Sequence, residues 1–325
     1  MTGAGSPSLD LGEVRDVVVT GCAGFIGSRL TELLLDAGCN VRGIDCFTDY
    51  YDRGVKDRNL AASRDHERFR FFEADLATAD VASAIEGAQA VLHLAAMPGL
   101  VRSWSDVAAY SHCNVVATAR LLDTVVQVAP SARHVQISTS SVYGLEATGD
   151  ETAAVHPASP YGVTKLAAEH LVHAYESQFG LESVVLRYFS VYGPRQRPDM
   201  AYNIFCRALL NDTEIQVFGD GSAVRSNTFV DDCARGTVQA MVGGRAGETY
   251  NLGGGVPITV NEALQVLADA SGRTPRIVYK GARKGDQKIT VANFDKATRD
   301  FGYAPTVAPI DGLARQWEWQ AAQPN

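Results

Sequence analysis

The sequence lacks the charge of a general nucleic-acid or membrane binder. Its 325 residues include 29 lysines and arginines against 37 aspartates and glutamates, which gives a formal net charge of −8. A phosphate backbone or an anionic lipid surface repels such a chain, although a few local arginines can still hold a small anion. We therefore expect neither nucleic acid nor a membrane among its partners.

Long apolar runs and secretory signals are also missing. No apolar stretch approaches the roughly 20 residues that span a bilayer. The first dozen residues are small and polar, without the basic start and apolar run of a signal peptide. Apolar residues still make up 46 % of the chain, which is enough for a full core. A folded cytoplasmic protein is the expectation.

Cysteine motifs are absent as well. The six cysteines stand at positions 22, 39, 46, 113, 206 and 233, and no two of them form a Cys-x-x-Cys pair. None lies beside a histidine at metal-ligand spacing. We expect free thiols in a reducing compartment and no metal site.

Short apolar runs alternate with helical patterns through the first half of the chain. Candidate strands lie at 16–20, 41–45, 69–72, 90–94, 134–138 and 183–187, and helical stretches separate them, notably at 105–128. This alternation predicts an α/β fold with a Rossmann-type, doubly wound parallel sheet. Beyond residue 190 the sequence is rich in loops, with helices expected near 201–211 and 260–271. That second part indicates a smaller C-terminal lobe.

A glycine-rich turn, TGCAGFIG at 20–27, follows the first strand. Gly21 permits a tight turn, Gly24 lets backbone N–H groups approach a pyrophosphate, and Gly27 allows close packing of helix on strand. Asp45 ends the second strand and suits hydrogen bonds to an adenosine ribose, while it repels a 2′-phosphate. NAD is therefore favoured over NADP. The alternative, a glycine turn without a ligand, is disfavoured by the strand before it, the helix after it and the spaced acid.

A second motif, YGVTK at 161–165, points to acid/base chemistry. On a helix, Tyr161 and Lys165 are four residues apart and share one face. An ammonium beside a phenol stabilises the phenolate, so we expect the pKa of Tyr161 to fall below about 10. A phenolate of that kind can take a proton from a sugar or alcohol hydroxyl.

With both motifs in this order, the chain resembles extended short-chain dehydrogenase/reductases of the nucleotide-sugar epimerase/dehydratase group. The matching segments are TGCAGFIG (20–27), DL (75–76), HLAA (93–96), STSSVYG (138–144), YGVTK (161–165), RYFSVYGP (187–194), FGDG (218–221) and TFVDD (228–232). Two more, TDYYDRGVK (48–56) and RPDMA (197–201), are similar to segments of the UDP-glucuronate 4-epimerases.

The resemblance implies a cofactor, a substrate and the residues that serve them. Thr139 would hydrogen-bond the reacting hydroxyl, Tyr161 would take its proton, and Lys165 would bind the nicotinamide ribose of NAD. The implied NAD contacts are Gly21, Gly24, Phe25, Ile26, Gly27, Asp45, Asp75, Leu76, Leu94, Ala95, Ala96, Asn114, Tyr161, Lys165 and Tyr188. The implied UDP-sugar contacts are Pro98, Gly99, Ser140, Ser141, Ser190, Arg197, Val217, Phe218, Arg225, Arg283 and Asp286.

The sequence pattern, together with the resemblance, divides the chain. Residues 1–13 are expected to form a flexible leader, 14–190 the NAD-binding Rossmann domain, and 191–325 mainly a nucleotide-sugar-binding lobe. Within the latter, segments at about 226–252 return to the first domain. A homodimer formed through the helices near 105–128 and 161–178 is common in this group, although apolar helix faces also serve an internal core.

The residues after Thr139 separate the reactions of this group. Dehydratases place Asp-Glu there, and decarboxylases that make UDP-xylose carry Glu at the second position, whereas this chain has Ser140 and Ser141. A serine hydroxyl is no general acid or base near neutral pH. The leading hypothesis is NAD-dependent inversion at C4 of UDP-glucuronate through a 4-keto sugar, with the two serines and Arg197 restraining its carboxylate.

Alternatives remain open at this point. One is a 4-epimerase of a neutral UDP-hexose or UDP-N-acetylhexosamine, another is a UDP-glucuronate decarboxylase, and a third is a non-enzymatic NAD sensor. The residues themselves also have a structural interpretation, in which the serines only shape a strand end and Arg197 forms a surface salt bridge.

Several other polar or aromatic residues receive structural interpretations. His93 is expected to be a satisfied core group. The pair at 231–232 is expected to be a helix N-cap and hydrogen-bond anchor. Tyr50 and Tyr51 either pack over adenine or cover a loop. Arg102 lies one position later than the group's pattern leads us to expect.

Overall fold

The fold is built on a seven-stranded parallel sheet. A computed structural model describes residues 9–281, 287 and 289–323. Its strands are β1 (Asp16–Thr20), β2 (Asn40–Asp45), β3 (Phe69–Glu73), β4 (Ala90–His93), β5 (Arg133–Thr139), β6 (Glu146–Ala147), β7 (Ser183–Tyr188), β8 (Val191–Tyr192), β9 (Glu214–Phe218), β10 (Val224–Arg225), β11 (Thr228–Phe229), β12 (Glu248–Leu252), β13 (Ile258–Thr259), β14 (Arg276–Lys280) and β15 (Ile289–Thr290). The sheet has the order β12-β7-β5-β4-β1-β2-β3. This order confirms the Rossmann-type, doubly wound fold.

Helices cover both faces of the sheet and build the smaller lobe. They are α1 (Phe25–Asp36), α2 (Arg53–Arg64), α3 (Ala82–Ile85), α4 (Leu100–Ser103), α5 (Val107–Ser111), α6 (Ala117–Val128), α7 (Pro160–Phe179), α8 (Ala201–Asn211), α9 (Val230–Gly243), α10 (Val260–Ser271), α11 (Asp295–Phe301) and α12 (Pro309–Ala321). A π-helical turn, His112–Val116, joins α5 to α6, so the helical stretch predicted at 105–128 is interrupted in register. The helices predicted near 201–211 and 260–271 are confirmed.

The alternation of side chains along the strands makes two cores. In β1, Val17 and Val19 join one apolar cluster, and Val18 joins the other across the sheet. All three are fully buried. Both faces of the sheet are therefore covered, as an all-parallel sheet requires.

Helix α7 owes its bounds to its sequence. Ser159 precedes it, and its hydroxyl accepts a hydrogen bond from Gly162 N at 3.2 Å. Pro160 occupies the first turn, where no N–H is needed, and Gly180 ends the helix with φ at 70°. The second residue of this helix is Tyr161, which is thereby fixed beside the end of β5.

After β7 the chain forms elements beside the large sheet and then returns to that sheet. Helices α8, α10 and α12 and the parallel pair β9–β14 form the smaller lobe. Between them, α9 packs on α1, and β12 pairs with β7 from Glu248 opposite Val184 to Leu252 opposite Tyr188. The last strand of the large sheet thus comes from the second half of the chain.

The aspartates at the start of α9 do not cap that helix. The N-cap position is Phe229, so Asp231 and Asp232 lie in the first turn, and their predicted capping role is wrong. Asp232 instead accepts hydrogen bonds from Val307 N and Thr306 Oγ1, both at 3.0 Å. The predicted role of hydrogen-bond anchor holds for this residue, which ties α9 to the segment before α12.

No helix within the described residues has the length and apolar character needed to cross a membrane.

Candidate active site

A cavity of about 390 Å³ opens at the carboxyl ends of the strands of the large sheet. Strand ends in such sheets are where ligands bind. Most of the predicted site residues line it: Gly21, Gly24, Phe25, Ile26, Gly27, Asp45, Asp75, Leu76, Leu94, Ala95, Ala96, Pro98, Gly99, Thr139, Ser140, Ser141, Tyr161, Lys165, Tyr188, Ser190 and Arg197. The two motifs found in the sequence therefore meet in one space.

Two glycines of the turn at 20–27 leave no room for a side chain. Gly21 has φ at 69°, and a Cβ there would lie 2.8 Å from the Ala95 nitrogen. A Cβ on Gly27 would collide with the Gly21 carbonyl oxygen. Helix α1 starts directly after Gly24, and no side chain caps its first N–H groups. These groups and the positive end of the helix fit the pyrophosphate of a dinucleotide.

Asp45 is held in place from three sides. Its carboxylate accepts hydrogen bonds from Ala23 N at 3.1 Å and Phe47 N at 2.9 Å. Lys56 Nζ lies 3.7 Å away and is as buried as the aspartate. The sequence reasoning missed Lys56, because nothing in the pattern of α2 indicated that a lysine faces the second strand. Lys56 entered the sequence analysis only as the last residue of the segment at 48–56, which resembles the UDP-glucuronate 4-epimerases.

Thr139, Tyr161 and Lys165 lie at the other end of the cavity. Thr139 Oγ1 accepts from Ser141 N at 3.1 Å and caps the 3₁₀ turn Ser140–Tyr143. Both Tyr161 and Lys165 project from α7 into the same cavity. The structure thus brings the predicted hydroxyl, phenol and ammonium together.

The expected lowering of the Tyr161 pKa is wrong. Burial raises that pKa, and the groups that oppose the rise are the hydrogen-bonding Thr139 and the charge of Arg197 rather than Lys165. Burial also lowers the pKa of Lys165 to about 8, against the charge of Glu169 one turn further on. Desolvation disfavours the charged form of both side chains, and it outweighs the attraction expected from their spacing.

Asn114 serves the loop after β4 rather than the cavity wall. Its Oδ1 accepts from Met97 N at 2.7 Å, and its Nδ2 donates to Met97 O at 3.1 Å and Thr164 Oγ1 at 3.0 Å. With its amide engaged in this way, Asn114 joins the loop to α7 and does not line the cavity.

His93 is the satisfied core group that the sequence predicted. Its Nδ1 lies 2.8 Å from Thr20 Oγ1 and its Nε2 lies 3.0 Å from Thr118 Oγ1. Burial holds its pKa well below the ordinary value, with the charge of Lys165 acting in the same direction. A neutral histidine with both nitrogens occupied is not a catalytic base.

Arg197 lines the cavity and lies beside three other charged or aromatic residues. Its Nε and Nη2 each lie 3.0 Å from a carboxylate oxygen of Asp199. The Tyr50 hydroxyl donates to Asp199 at 3.3 Å, and the guanidinium carbon of Arg102 lies 4.9 Å from the centre of the Tyr50 ring. Tyr50 therefore lines the cavity beside Arg197. The contact between Asp199 and Arg197 was not predicted from the sequence.

The remaining predicted substrate contacts lie apart from the cavity or outside the described residues. Val217 is buried in the core of the smaller lobe, and Phe218 follows it at the end of β9. Arg225 on β10 donates to Val224 O at 2.9 Å and to Gln287 O. Arg283 and Asp286 fall outside the described residues. Their roles, like those of the cavity residues, stay predictions.

Metal ligands are not grouped in the described part of the chain. Across residues 9–281, 287 and 289–323, no three histidine, cysteine, aspartate or glutamate side chains come together as a metal site.

The fold and the cavity define a dinucleotide-dependent enzyme of the short-chain dehydrogenase/reductase type. Residues 17–253 match the model of the NAD dependent epimerase/dehydratase family, and the chain belongs to that family.

Relatives and solved structures match over nearly the whole chain. A protein of Bacillus subtilis named as an uncharacterised UDP-glucose epimerase is 40 % identical over 92 % of this chain and 96 % of its own length. A UDP-glucuronate 4-epimerase of Thermodesulfobacterium geofontis is 35 % identical over 93 % and 95 %. The crystal structure of the UDP-glucuronic acid 4-epimerase of Bacillus cereus with UDP-glucuronic acid and NAD superimposes with a TM-score of 0.90, at 38 % identity, over 94 % of this chain and 98 % of that one.

Replacement of Lys165 by methionine tests the cost of burying its ammonium. In the nucleotide-free protein, its pKa is lowered from 10.5 to about 8. Between these two pKa values the folded state binds fewer protons than the unfolded chain. The free energy of unfolding therefore rises with pH in this range. Below pH 8 the full cost of burying the charged ammonium lowers the stability of the folded state. We expect Lys165→Met to raise the free energy of unfolding by up to about 3 kcal/mol at pH 7. The free energy of unfolding should also depend less on pH than in the wild type.

Urea unfolding of nucleotide-free wild type and Lys165→Met between pH 7 and 10 provides the measurement. The exposed Lys280 offers a matched control, because Lys280→Met removes the same charge without a change in burial. Parallel curves for wild type and Lys165→Met would contradict the lowered pKa.

Proposed function

We propose that this protein is an NAD-dependent 4-epimerase of UDP-sugars, with UDP-glucuronate as the preferred substrate and UDP-galacturonate as the product. The observation that carries the proposal is one cavity that joins the glycine turn, Thr139 with Tyr161, and the pair Ser140–Ser141 with Arg197. The reaction inverts one carbon and regenerates its cofactor.

The residues of the glycine turn, Asp45 and Lys165 would hold NAD. When bound, NAD supplies the acceptor for the C4 hydride and returns that hydride to the other face of the sugar. The chain's own contribution is to place the C4 hydroxyl against Tyr161 and Thr139. Thr139 orients this hydroxyl, and Tyr161 takes its proton during oxidation and gives it back during reduction.

Proton transfer needs the phenolate, which burial disfavours. The hydrogen bond from Thr139 and the charge of Arg197 are the two influences that oppose burial at Tyr161. We infer that Thr139 both orients the substrate hydroxyl and stabilises the phenolate.

Oxidation of UDP-glucuronate at C4 creates a β-keto acid, which loses CO₂ readily. Retention of the carboxyl group requires hydrogen bonds that keep its C–C bond in the plane of the ring. The hydroxyls of Ser140 and Ser141 and the guanidinium of Arg197 line the cavity and supply such donors. None of these groups is an acid or base suited to dehydration. Inversion at C4 is then the remaining outcome.

A second candidate is the 4-epimerisation of a neutral UDP-hexose. The specific observation in its favour is the bidentate pair between Arg197 and Asp199, which already compensates the positive charge that a carboxylate would otherwise meet. The two candidates share the fold, the cofactor and the role of Tyr161.

We also propose a cytoplasmic homodimer. Several large apolar side chains on α4 to α7 and the intervening π-helical turn are exposed, and they would be covered by the same face of a second copy. These side chains belong to Val101, Trp104, Val107, Val116, Val163 and Phe179. Light scattering of the pure protein is expected to give twice the mass of the chain, and Trp104→Glu with Val163→Glu to give the monomer. A monomeric wild type would contradict the proposal.

Incubation of the pure protein with UDP-glucuronate, followed by NMR, tests the function. We expect UDP-galacturonate to appear without added NAD, because a cofactor that is regenerated in every turnover stays bound. Tyr161→Phe should reduce the rate by at least about 100-fold, since it removes the proton acceptor. A UDP-pentose as the main product would establish a decarboxylase. Turnover of UDP-glucose alone would favour the second candidate.

Replacement of Arg197 by alanine tests the restraint on the carboxylate. We expect a UDP-pentose by-product and CO₂ to rise several-fold relative to the C4 epimer, because the keto acid loses one set of hydrogen bonds. The matched control is Arg58→Ala, which removes the same charge from an exposed position on α2. An unchanged product ratio in Arg197→Ala would count against this role.

A further inference from the structure

The pair between Arg197 and Asp199 uses only one edge of the guanidinium. Nε donates to Oδ1 and Nη2 donates to Oδ2, each at 3.0 Å. A guanidinium has five N–H donors. The contact with Asp199 uses the N–H of Nε and one N–H of Nη2, so both N–H groups of Nη1 and the second N–H of Nη2 take no part in it. Arg197 lines the cavity, whereas Asp199 does not. Asp199 thus pairs with Arg197 without lining the cavity itself.

The two side chains differ in exposure. The side chain of Arg197 is 18 % exposed and that of Asp199 is 39 % exposed. A cation this poorly hydrated needs a partner, and removal of its partner leaves a charge that burial penalises strongly. Asp199 is this partner, and its carboxylate stays in contact with solvent. Asp199 can therefore share Arg197 with a second anion that binds in the cavity.

Tyr50 keeps Asp199 beside the arginine. Its hydroxyl donates to Asp199 at 3.3 Å, and its ring centre lies 5.7 Å from the guanidinium carbon of Arg197. The ring of Tyr50 thus faces the cation while its hydroxyl binds the anion. The segment that follows β2 and the segment before α8 are joined by this contact at the entrance of the cavity.

We propose that Asp199 is a specificity-determining residue that allows one sugar site to accept both neutral and carboxylate-bearing UDP-sugars. With a neutral sugar, Asp199 remains the counter-ion of Arg197, so no uncompensated charge is buried under the ligand. With a uronate, the sugar carboxylate takes the free edge of the guanidinium and shares it with Asp199. The proposal rests on the proposed function, because it assumes a sugar ring beside Tyr161.

Asp199→Asn keeps the shape of the side chain and removes its charge. A neutral sugar would then cover an arginine without a counter-ion and bind more weakly. A uronate would no longer share the arginine with a second carboxylate and would bind more tightly. The ratio of the two dissociation constants, UDP-glucose over UDP-glucuronate, should rise by about tenfold, which corresponds to about 1.4 kcal/mol.

Calorimetric titration of the NAD-loaded enzyme with UDP-glucose, UDP-glucuronate and UDP measures this ratio. Tyr161→Phe is the common background, so that turnover of either sugar during the titration is suppressed. Asp49→Asn is the matched control, because Asp49 is 95 % exposed and lies near Arg102 at 3.9 Å instead of Arg197. We expect this control to keep the parent ratio within twofold and Asp199→Asn to leave the affinity for UDP unchanged.

A second comparison guards against an effect on folding alone. In an Arg197→Met background, Asp199→Asn should leave the ratio unchanged, because the charge that it compensates is gone. With Arg197 intact, Asp199→Asn could change both dissociation constants equally or change their ratio by less than twofold. Either result would overturn the role of Asp199. If neither sugar nucleotide binds better than UDP, the sugar site fails together with the proposed function, and that outcome is distinct from the first.

Discussion

The arrangement of Thr139, Tyr161 and Lys165 depends on one buried ion pair, between Glu169 on α7 and Arg187 on β7. The carboxylate accepts from Arg187 Nε at 3.1 Å and from Nη2 at 2.8 Å, and it also accepts from Ser138 on β5. Arg187 Nη1 reaches the Tyr143 hydroxyl at 2.9 Å, at the end of the turn that follows Thr139. Two strands and a helix are thereby locked at the level of the site. Both charges are almost fully buried, so loss of either partner would leave the other uncompensated in the core.

Charge compensation recurs at both ends of the cavity. At the end expected for adenosine, Lys56 Nζ lies 3.7 Å from the carboxylate of Asp45, and at the sugar end Asp199 pairs with Arg197. In each case a charged group that lines the cavity has an opposite charge beside it. Such groups are positioned before a ligand arrives, which lowers the cost of ordering them on binding.

Local patterns made much of the fold predictable, whereas the contacts between side chains in the site could not be predicted. The turn at 20–27 and the bounds of α7 follow from glycine, serine and proline at fixed positions, so strands, helices and most cavity residues could be anticipated. The approach of Lys56 to Asp45 and of Asp199 to Arg197 depends on how side chains point once the chain has folded. The predicted direction of the Tyr161 pKa shift was wrong for the same reason. The spacing of residues on a helix identifies neighbouring side chains, but it does not show how deeply they are buried.

The position of β12 at the edge of the large sheet has a consequence for synthesis of the protein. Strand β7 emerges from the ribosome with Val184, Val185 and Leu186, and its outer edge is covered only after residues 189–247 have been made. At about 5–20 residues per second, this edge is open for roughly 3 to 12 s. An apolar strand with unpaired N–H and C=O groups is a template for pairing with another nascent chain. The interval between the two strands is therefore a period in which this edge is open to pairing with another chain.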